Sequence, residues 1–385
     1  MFSVPRQKEN AGLDGSCDLY IDGNFVATCR CSLDFDAEEF LLEDATKETL
    51  KYDANSISIR NTYFVTQTGR ITAEEVITSF AVYSPTFGGG DIRDSALNRT
   101  FDAVRLAPIW RFVCNGEIVF KTEKEAYETY LRPGCDIFPV ELSDDVVLKG
   151  SKNGINFLSE QDFDNSNQLA LELALGGPVN IFARQAEYDL SIRLNEWCSN
   201  FKFRALFDRS ENGIRDRDQE AAGLKEIYKK ALRYQAAQAD GGENFRYAVE
   251  AFIKSRSSDS GFIVQMLGAV QMLEWLDKEK TIKHQKMASR FGIPVGIAKA
   301  IMLLRNDLFH NPQNTSSKIN LLESVRKAGG ALKEAGVDID LFGHGKPDTA
   351  VLNYVISLAG YLLLKEIEAD VVPTFFIPGH GAFKP

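Results

Sequence analysis

The segment from Arg305 to His310 holds the residue types best suited to chemistry in this 385-residue chain. Histidine has an ordinary pKa of about 6.5, so it can give or take a proton near neutral pH. Arginine carries a permanent charge and a forked set of donors that fits phosphate oxygens. Asn306 follows the arginine and is suited to hold a phosphate oxygen or the neighbouring imidazole. Together these side chains are suited to proton transfer beside a bound phosphate.

A helix predicted over Pro294–His310 would position this pair. Proline is preorganised for a first helical position, and Asn311-Pro312 ends the helix because the residue before proline is pushed out of the helical region. His310 then lies in the last turn, where the helix dipole favours the imidazolium and therefore the role of an acid. The apolar residues that recur at helical spacing and predict the buried stripe are Ile297, Ile301, Leu304 and Leu308.

The stretch Phe245–His310 resembles the ApeA-like branch of the HEPN ribonuclease superfamily. Three segments carry the resemblance: Met272–Leu276, which is similar to the motif that ends one family helix; Met287–Arg290, a connecting helix with a basic residue; and Leu304–His310, which matches the family's R-x4-H signature. The resemblance implies an all-α helical bundle and a metal-independent endoribonuclease with no cofactor. It also implies a defence or stress toxin, in line with antiviral defence.

The resemblance further implies a homodimer. Five residues on a regular helix correspond to a rotation of about 140°, so Arg305 and His310 of one chain do not share a face. In the family, motif helices of two domains pack around a shared cleft. Because one such motif occurs in the sequence, we expect a two-fold symmetric dimer with a composite active site.

Three supporting residues accompany the pair. Glu274 lies at the edge of an apolar helical stripe, where a carboxylate is costly unless it is paired. Arg305 and Arg290 are candidate partners, and a salt bridge that orients the arginine is favoured over a direct catalytic role. In an alternative interpretation, Arg305 forms an ordinary surface ion pair with Asp307. His310 is then a residue at the end of a helix whose hydrogen bonds are made to local backbone groups. The sequence predicts no metal at the other histidines.

Charge weighs against broad nucleic-acid binding, because the formal net charge is −10. The distribution is uneven, however: eleven basic and five acidic residues lie between Gly261 and Lys333. Such a segment can attract phosphates locally. A solvated helix face is an equally good interpretation.

The pattern of elements predicts an α+β protein. Residues 1–165 are interpreted as a β-rich domain, sandwich or barrel-like, and residues 166–385 as the helical HEPN-like domain. Asp22-Gly23 and Asn115-Gly116 each predict a tight hairpin turn. The helical period predicts helices over Gln168–Leu175 and Phe182–Phe207, and then on to the end of the chain. Further strands are expected, one of them over Thr100–Leu106.

The remaining expectations concern the cellular compartment, the cysteines, the N-terminal domain and two alternative functions. No secretory signal and no membrane-spanning stretch is recognisable, so a cytoplasmic protein is expected. Cys29 and Cys31 are expected to point into a core as reduced thiols. The N-terminal domain is the expected place for a trigger or an inhibitor partner. Two alternatives stay open: a non-catalytic helical module that binds RNA or a partner, and a ligand-sensing β domain with the helices as a dimerisation scaffold.

Overall fold

The structure, a computed structural model, falls into two compact units. The first unit takes in the described residues up to 132, then 149–163 and 180–194; the second takes in 139–148, 164–179 and the described residues from 217 onward. The chain therefore passes between the units more than once, while a single boundary at residue 165 stays a prediction. The described residues are 12–34, 39–42, 57–66, 69–83, 110–132, 139–151, 154–194, 217–238, 242–256, 262–276, 284–309, 318–342 and 347–369.

The first unit is built on antiparallel strands. In the sheet, the neighbours follow the order β3, β2, β1, β4, β5, β6, β9, and β10 also pairs with β6. A further pairing of β3 with β6 closes the sheet on itself. The strands of this unit are β1 (Gly12–Ile21), β2 (Asn24–Asp34), β3 (Glu39–Leu42), β4 (Ile57–Thr66), β5 (Gly69–Tyr83), β6 (Trp110–Arg132), β9 (Gly154–Ser159) and β10 (Asn180–Leu194).

The turn between β1 and β2 confirms the Asp22-Gly23 prediction. Both turn residues have positive φ, 48° at Asp22 and 80° at Gly23, as a primed hairpin turn requires. Cys29 and Cys31 point into the core and carry free thiols, as predicted. Cys17 lies opposite Cys29 on β1, and a hydrogen bond with Cys31, together with burial, raises the pKa of the Cys17 thiol. The Cys17 thiol is therefore a protonated core side chain.

The hairpin predicted at Asn115-Gly116 is wrong. Both residues lie inside β6, where Asn115 pairs with Ser79 and Gly116 with Thr78. The hydrogen-bonding partners come from β5, a strand far away in sequence. Tertiary pairing therefore overrides the local turn signal.

The helix predicted over Phe182–Phe207 is wrong over its described part. β10 runs from Asn180 to Leu194 and pairs antiparallel with β6 along its length. Leu190 and Ile192 alternate into the core, which is the two-residue period of a strand. The strand expected over Thr100–Leu106 lies outside the described residues.

The described part of the second unit is helical apart from a short pairing between β7 (Val140–Glu141) and the start of β8 (Val146–Ser151). Asp164 is the N-cap of the first helix of this unit. Its carboxylate accepts the backbone N–H of Asn167 at 2.7 Å. The helices are α1 (Asn165–Leu175), α2 (Arg217–Ala237), α3 (Glu243–Arg256), α4 (Phe262–Leu276), α5 (His284–Phe291), α6 (Val295–Phe309), α7 (Lys318–Glu334) and α8 (Pro347–Glu366).

Helix α8 forms the centre of this bundle and packs against α3, α4, α5 and α7. Its residues are buried on most sides, as expected for a helix surrounded by others. Close packing continues between α3 and α4: a Cβ added at Gly268 would lie 2.6 Å from the carbonyl oxygen of Ala251. Met266 and Met272 of α4 are fully buried core residues.

The fold class is thus a mixed α+β arrangement with an N-terminal antiparallel sheet and a C-terminal helical region, as predicted. In the described part of the chain, no helix combines the length and the apolar character needed to cross a bilayer.

Candidate functional site

Helix α6 positions the candidate site. The carbonyl oxygen of Pro294 accepts the backbone N–H groups of Ile297 and Ala298, at 3.0 and 3.2 Å, so the helix begins one residue later than predicted. Gly296 faces α7 so closely that an added Cβ would lie 2.7 Å from the Cβ of Ala335. The predicted stripe of Ile297, Ile301, Leu304 and Leu308 is buried, which confirms the orientation of the helix.

The opposite side of α6 is exposed. Val295 is 52% exposed and Leu303 is 44% exposed, and Lys299 and Asn306 are exposed with them. Their spacing of four, four and three residues places all four side chains on one face. We call this set the α6 open face. The sequence analysis counted Lys299 among the basic residues but gave it no role, although its seven-residue spacing from Asn306 was the available signal.

Arg305 and Asn306 are in contact in the last described turn of α6. Nη1 of Arg305 donates a hydrogen bond to Oδ1 of Asn306 at 3.2 Å. Arg305 is half-buried, whereas Asn306 is exposed. A guanidinium and an amide N–H group are both donor types that suit the oxygens of an anion.

The other predicted residues are placed as follows. Asp307 lies half-buried on α6. His310 lies outside the described residues, and for Glu274 only the backbone in α4 is described. The predicted pairing of Glu274 with Arg305 or Arg290 therefore stays a prediction.

Arg290 contacts α8. Its Nη2 donates to Oε1 of Glu366 at 2.8 Å, and the same oxygen accepts the Tyr234 hydroxyl at 2.5 Å. The guanidinium also lies over the Phe291 ring, 5.1 Å from its centroid. Arg290 thus joins α2, α5 and α8, which is a structural role.

Several of the basic residues counted in the sequence are in ion pairs. Arg326 pairs with Asp348 at 3.7 Å, and Lys333 pairs with Asp340 at 3.0 Å. Lys327 pairs with Glu323 at 3.4 Å, one helical turn away. Positive charge on the α6 open face and beside it comes from Lys299 and Arg305.

No protein family, curated protein or solved structure matches the chain. The candidate site therefore depends on its own residues. Within the described ranges, no three side chains among His, Cys, Asp and Glu are grouped to hold a metal ion.

Proposed function

We propose that the second unit is a HEPN-like, metal-independent endoribonuclease domain. The observation that carries this proposal is the hydrogen bond between Arg305 and Asn306, which joins a fixed cation to an exposed amide at the end of α6. Such a pair of donors is suited to an anion that carries more negative charge in the transition state than in the ground state. A cytoplasmic toxin, triggered or inhibited through its first unit, is the biological setting we propose.

The proposed reaction is an internal transesterification. The 2′-oxygen forms a bond to phosphorus as the bond to the 5′-oxygen breaks, which leaves a 2′,3′-cyclic phosphate and a 5′-hydroxyl. His310, as the imidazolium, protonates the leaving 5′-oxygen, while a base takes the proton of the 2′-hydroxyl. Arg305 and Asn306 hold the phosphorane oxygens.

The proposed active form is a homodimer formed through the α6 open face. Val295 and Leu303 expose apolar surface on the same side as Asn306. A second copy packed there would cover this surface and bring His310 of one chain toward Arg305 of the other, which one regular helix does not do.

The test of the reaction is incubation of the purified chain with total RNA in EDTA, wild type beside His310→Ala. We expect cleavage by the wild type alone, with 2′,3′-cyclic phosphate ends detected by end-group analysis. A reaction that stops in EDTA, or His310→Ala cleaving at the wild-type rate, would refute the proposal.

Leu303→Asp tests the dimer. A buried, unpaired carboxylate costs about 3 kcal/mol and a two-fold dimer buries two of them, so the dimer should dissociate at least about 100-fold more readily and cleavage should fall with it. Light scattering coupled to size exclusion measures the mass across a dilution series. Leu341→Asp is the matched control, because Leu341 is similarly exposed at 37% but belongs to the 3-10 helix Ile339–Phe342 and not to the α6 open face. A wild type that stays monomeric at tens of micromolar contradicts the composite site.

A second candidate function is a non-catalytic module that binds RNA or a partner. The ion pairs of Arg326, Lys327 and Lys333 favour the partner-binding form of this module, because they reduce the positive charge that these residues offer to a phosphate chain. RNA retained in a filter-binding assay without turnover over hours would support this function.

A further inference from the structure

Helices α5 and α6 form a helix-turn-helix arrangement. Helix α5 has eight residues, and a turn of three residues, 292–294, separates it from α6. The two helices pack against each other. Two packed helices joined by a turn of three or four residues that contains glycine are the general form of a motif that places its second helix in the major groove of DNA.

The turn between the two helices has a defined geometry. Gly292 has a φ of 63°, a left-handed conformation that favours glycine, and the Ile293 amide donates to the carbonyl oxygen of Ala288 at 3.1 Å. Lys365 of α8 donates to the carbonyl oxygen of Phe291 at 3.1 Å. These contacts end α5 and fix the direction in which the chain enters α6.

The buried and exposed sides of the pair are separate. Val295 and Lys299 are exposed in the first two turns of α6, four residues apart. In a DNA-binding helix-turn-helix, the N-terminal turns of the second helix contact the edges of the bases. The opposite side is an apolar core, which includes Met287, Phe291, Ile293, Ile297, Ala298 and Ile301.

The exposed side chains are chemically suited to duplex DNA. Val295 can pack against the methyl group of thymine, and the Lys299 ammonium can donate to O6 and N7 of guanine. In this motif the first helix crosses the phosphate backbone, and on α5 Gln285 and Ser289 are exposed one turn apart with groups that donate to phosphate oxygens. A helix with its side chains is about 10–12 Å across, which fits a major groove about 12 Å wide.

The charge of the pair also favours a polyanion. Helix α8 adds one charge of each sign beside the pair, Lys365 and Glu366, and these two cancel. A local positive surface attracts DNA even though the whole chain has a net charge of −10. Within residues 284–309, four basic side chains minus one acidic side chain leave +3: Lys286, Arg290, Lys299 and Arg305 against Asp307.

We propose that α5 and α6 bind double-stranded DNA, with α6 in the major groove and α5 across the phosphate backbone. This inference does not depend on the proposed ribonuclease activity. It assigns the α6 open face to DNA in the monomer, whereas a second copy covers the same face in the proposed dimer. DNA and the second copy therefore compete, and bound DNA disfavours the composite active site.

Fluorescence anisotropy with the full chain and a labelled pool of random duplexes of about 24 base pairs tests the proposal. We expect saturable binding in about 50 mM salt, and binding at least about tenfold weaker in about 200 mM salt, because basic side chains displace counterions from the phosphates. An RNA duplex with methylated 2′-oxygens should bind at least about tenfold more weakly than DNA, since its deep and narrow major groove does not admit a helix. Neither probe has the 2′-hydroxyl that the proposed cleavage needs.

Val295→Asp and Val264→Asp are matched variants. Both valines lie in the first turn of a helix and are about equally exposed, 52% for Val295 in α6 and 48% for Val264 in α4. An aspartate in the first turn suits the helix dipole, so both variants should fold. Val295→Asp brings a negative charge against DNA and should weaken binding at least about 30-fold, whereas Val264→Asp should change it less than about threefold.

Three results would overturn DNA binding through α5 and α6. They are no binding of the duplex pool by the wild type at tens of micromolar in about 50 mM salt, equal losses in the two aspartate variants, and equal affinity for the DNA and RNA duplexes. RNA cleavage in EDTA is measured separately on the same protein. Each of the two proposals can therefore fail while the other stands.

Discussion

Arg305→Ala should lower the rate of RNA cleavage about 1000-fold and leave the free energy of unfolding within about 1 kcal/mol of wild type. Loss of a fixed donor or of a charge-stabilising arginine at a reacting phosphate has effects of this size. The half-buried side chain contributes little to the core beside the buried Leu304 and Leu308, so the fold should survive. Single-turnover cleavage of a labelled RNA measures the rate, and urea denaturation measures stability.

Two further variants separate the proposed role from a simple charge effect. Arg305→Lys should recover only a small part of the rate, because an ammonium group lacks the planar fork. Lys254→Ala removes an exposed cation from α3, outside the α6 open face, and should change the rate less than about threefold. If Lys254→Ala is as slow as Arg305→Ala, the arginine acts only through general charge and the proposed site is wrong.

The role of Asn306 in the reaction can be determined with a double-mutant cycle. If its amide acts by holding the guanidinium, adding Asn306→Ala to Arg305→Ala should not slow the reaction further. If the amide contacts the phosphate independently, the two losses should multiply. The first result makes Asn306 a positioning residue; the second makes it a catalytic residue.

Local sequence patterns correctly predicted the features whose structure depends on residues nearby in the sequence. The stripe of α6 was predictable because a helix satisfies its backbone within itself and the apolar spacing alone shows the buried side. Asp22-Gly23 was predictable because β1 and β2 meet directly at that turn, with Tyr20 opposite Phe25. In both cases the partner lies within a few residues.

The errors arise where a partner is distant in sequence. Asn115-Gly116 carries the same turn signal as Asp22-Gly23, but β5 and β10 supply partners on both sides of β6 and keep it extended. Residues 180–194 include good helix formers, yet pairing with β6 makes them a strand. The ion pair of Arg290 with Glu366 spans 76 residues and was likewise beyond local patterns.

Leu358→Ala should destabilise the second unit by about 3–5 kcal/mol. Leu358 is fully buried in α8, the helix that packs against α3, α4, α5 and α7. A helix that packs against neighbours on several sides cannot move far to fill a cavity. The loss in the free energy of unfolding should therefore lie in the upper part of the range measured for buried Leu→Ala substitutions. Urea denaturation followed by circular dichroism at 222 nm should show a lower midpoint with an unchanged slope.

Leu341→Ala is the matched control, because it removes the same atoms from a side chain that is 37% exposed, and it should cost less than about 1 kcal/mol. Because the chain has two compact units, the loss of the helical signal is analysed as a transition of its own. Equal losses in the two variants would mean that α8 is not the centre of the bundle.

Below its melting temperature Leu358→Ala should cleave RNA at the wild-type rate, whereas Arg305→Ala should be stable and inactive. Because these two variants are expected to fail in opposite ways, they separate the fold of the second unit from its proposed chemistry.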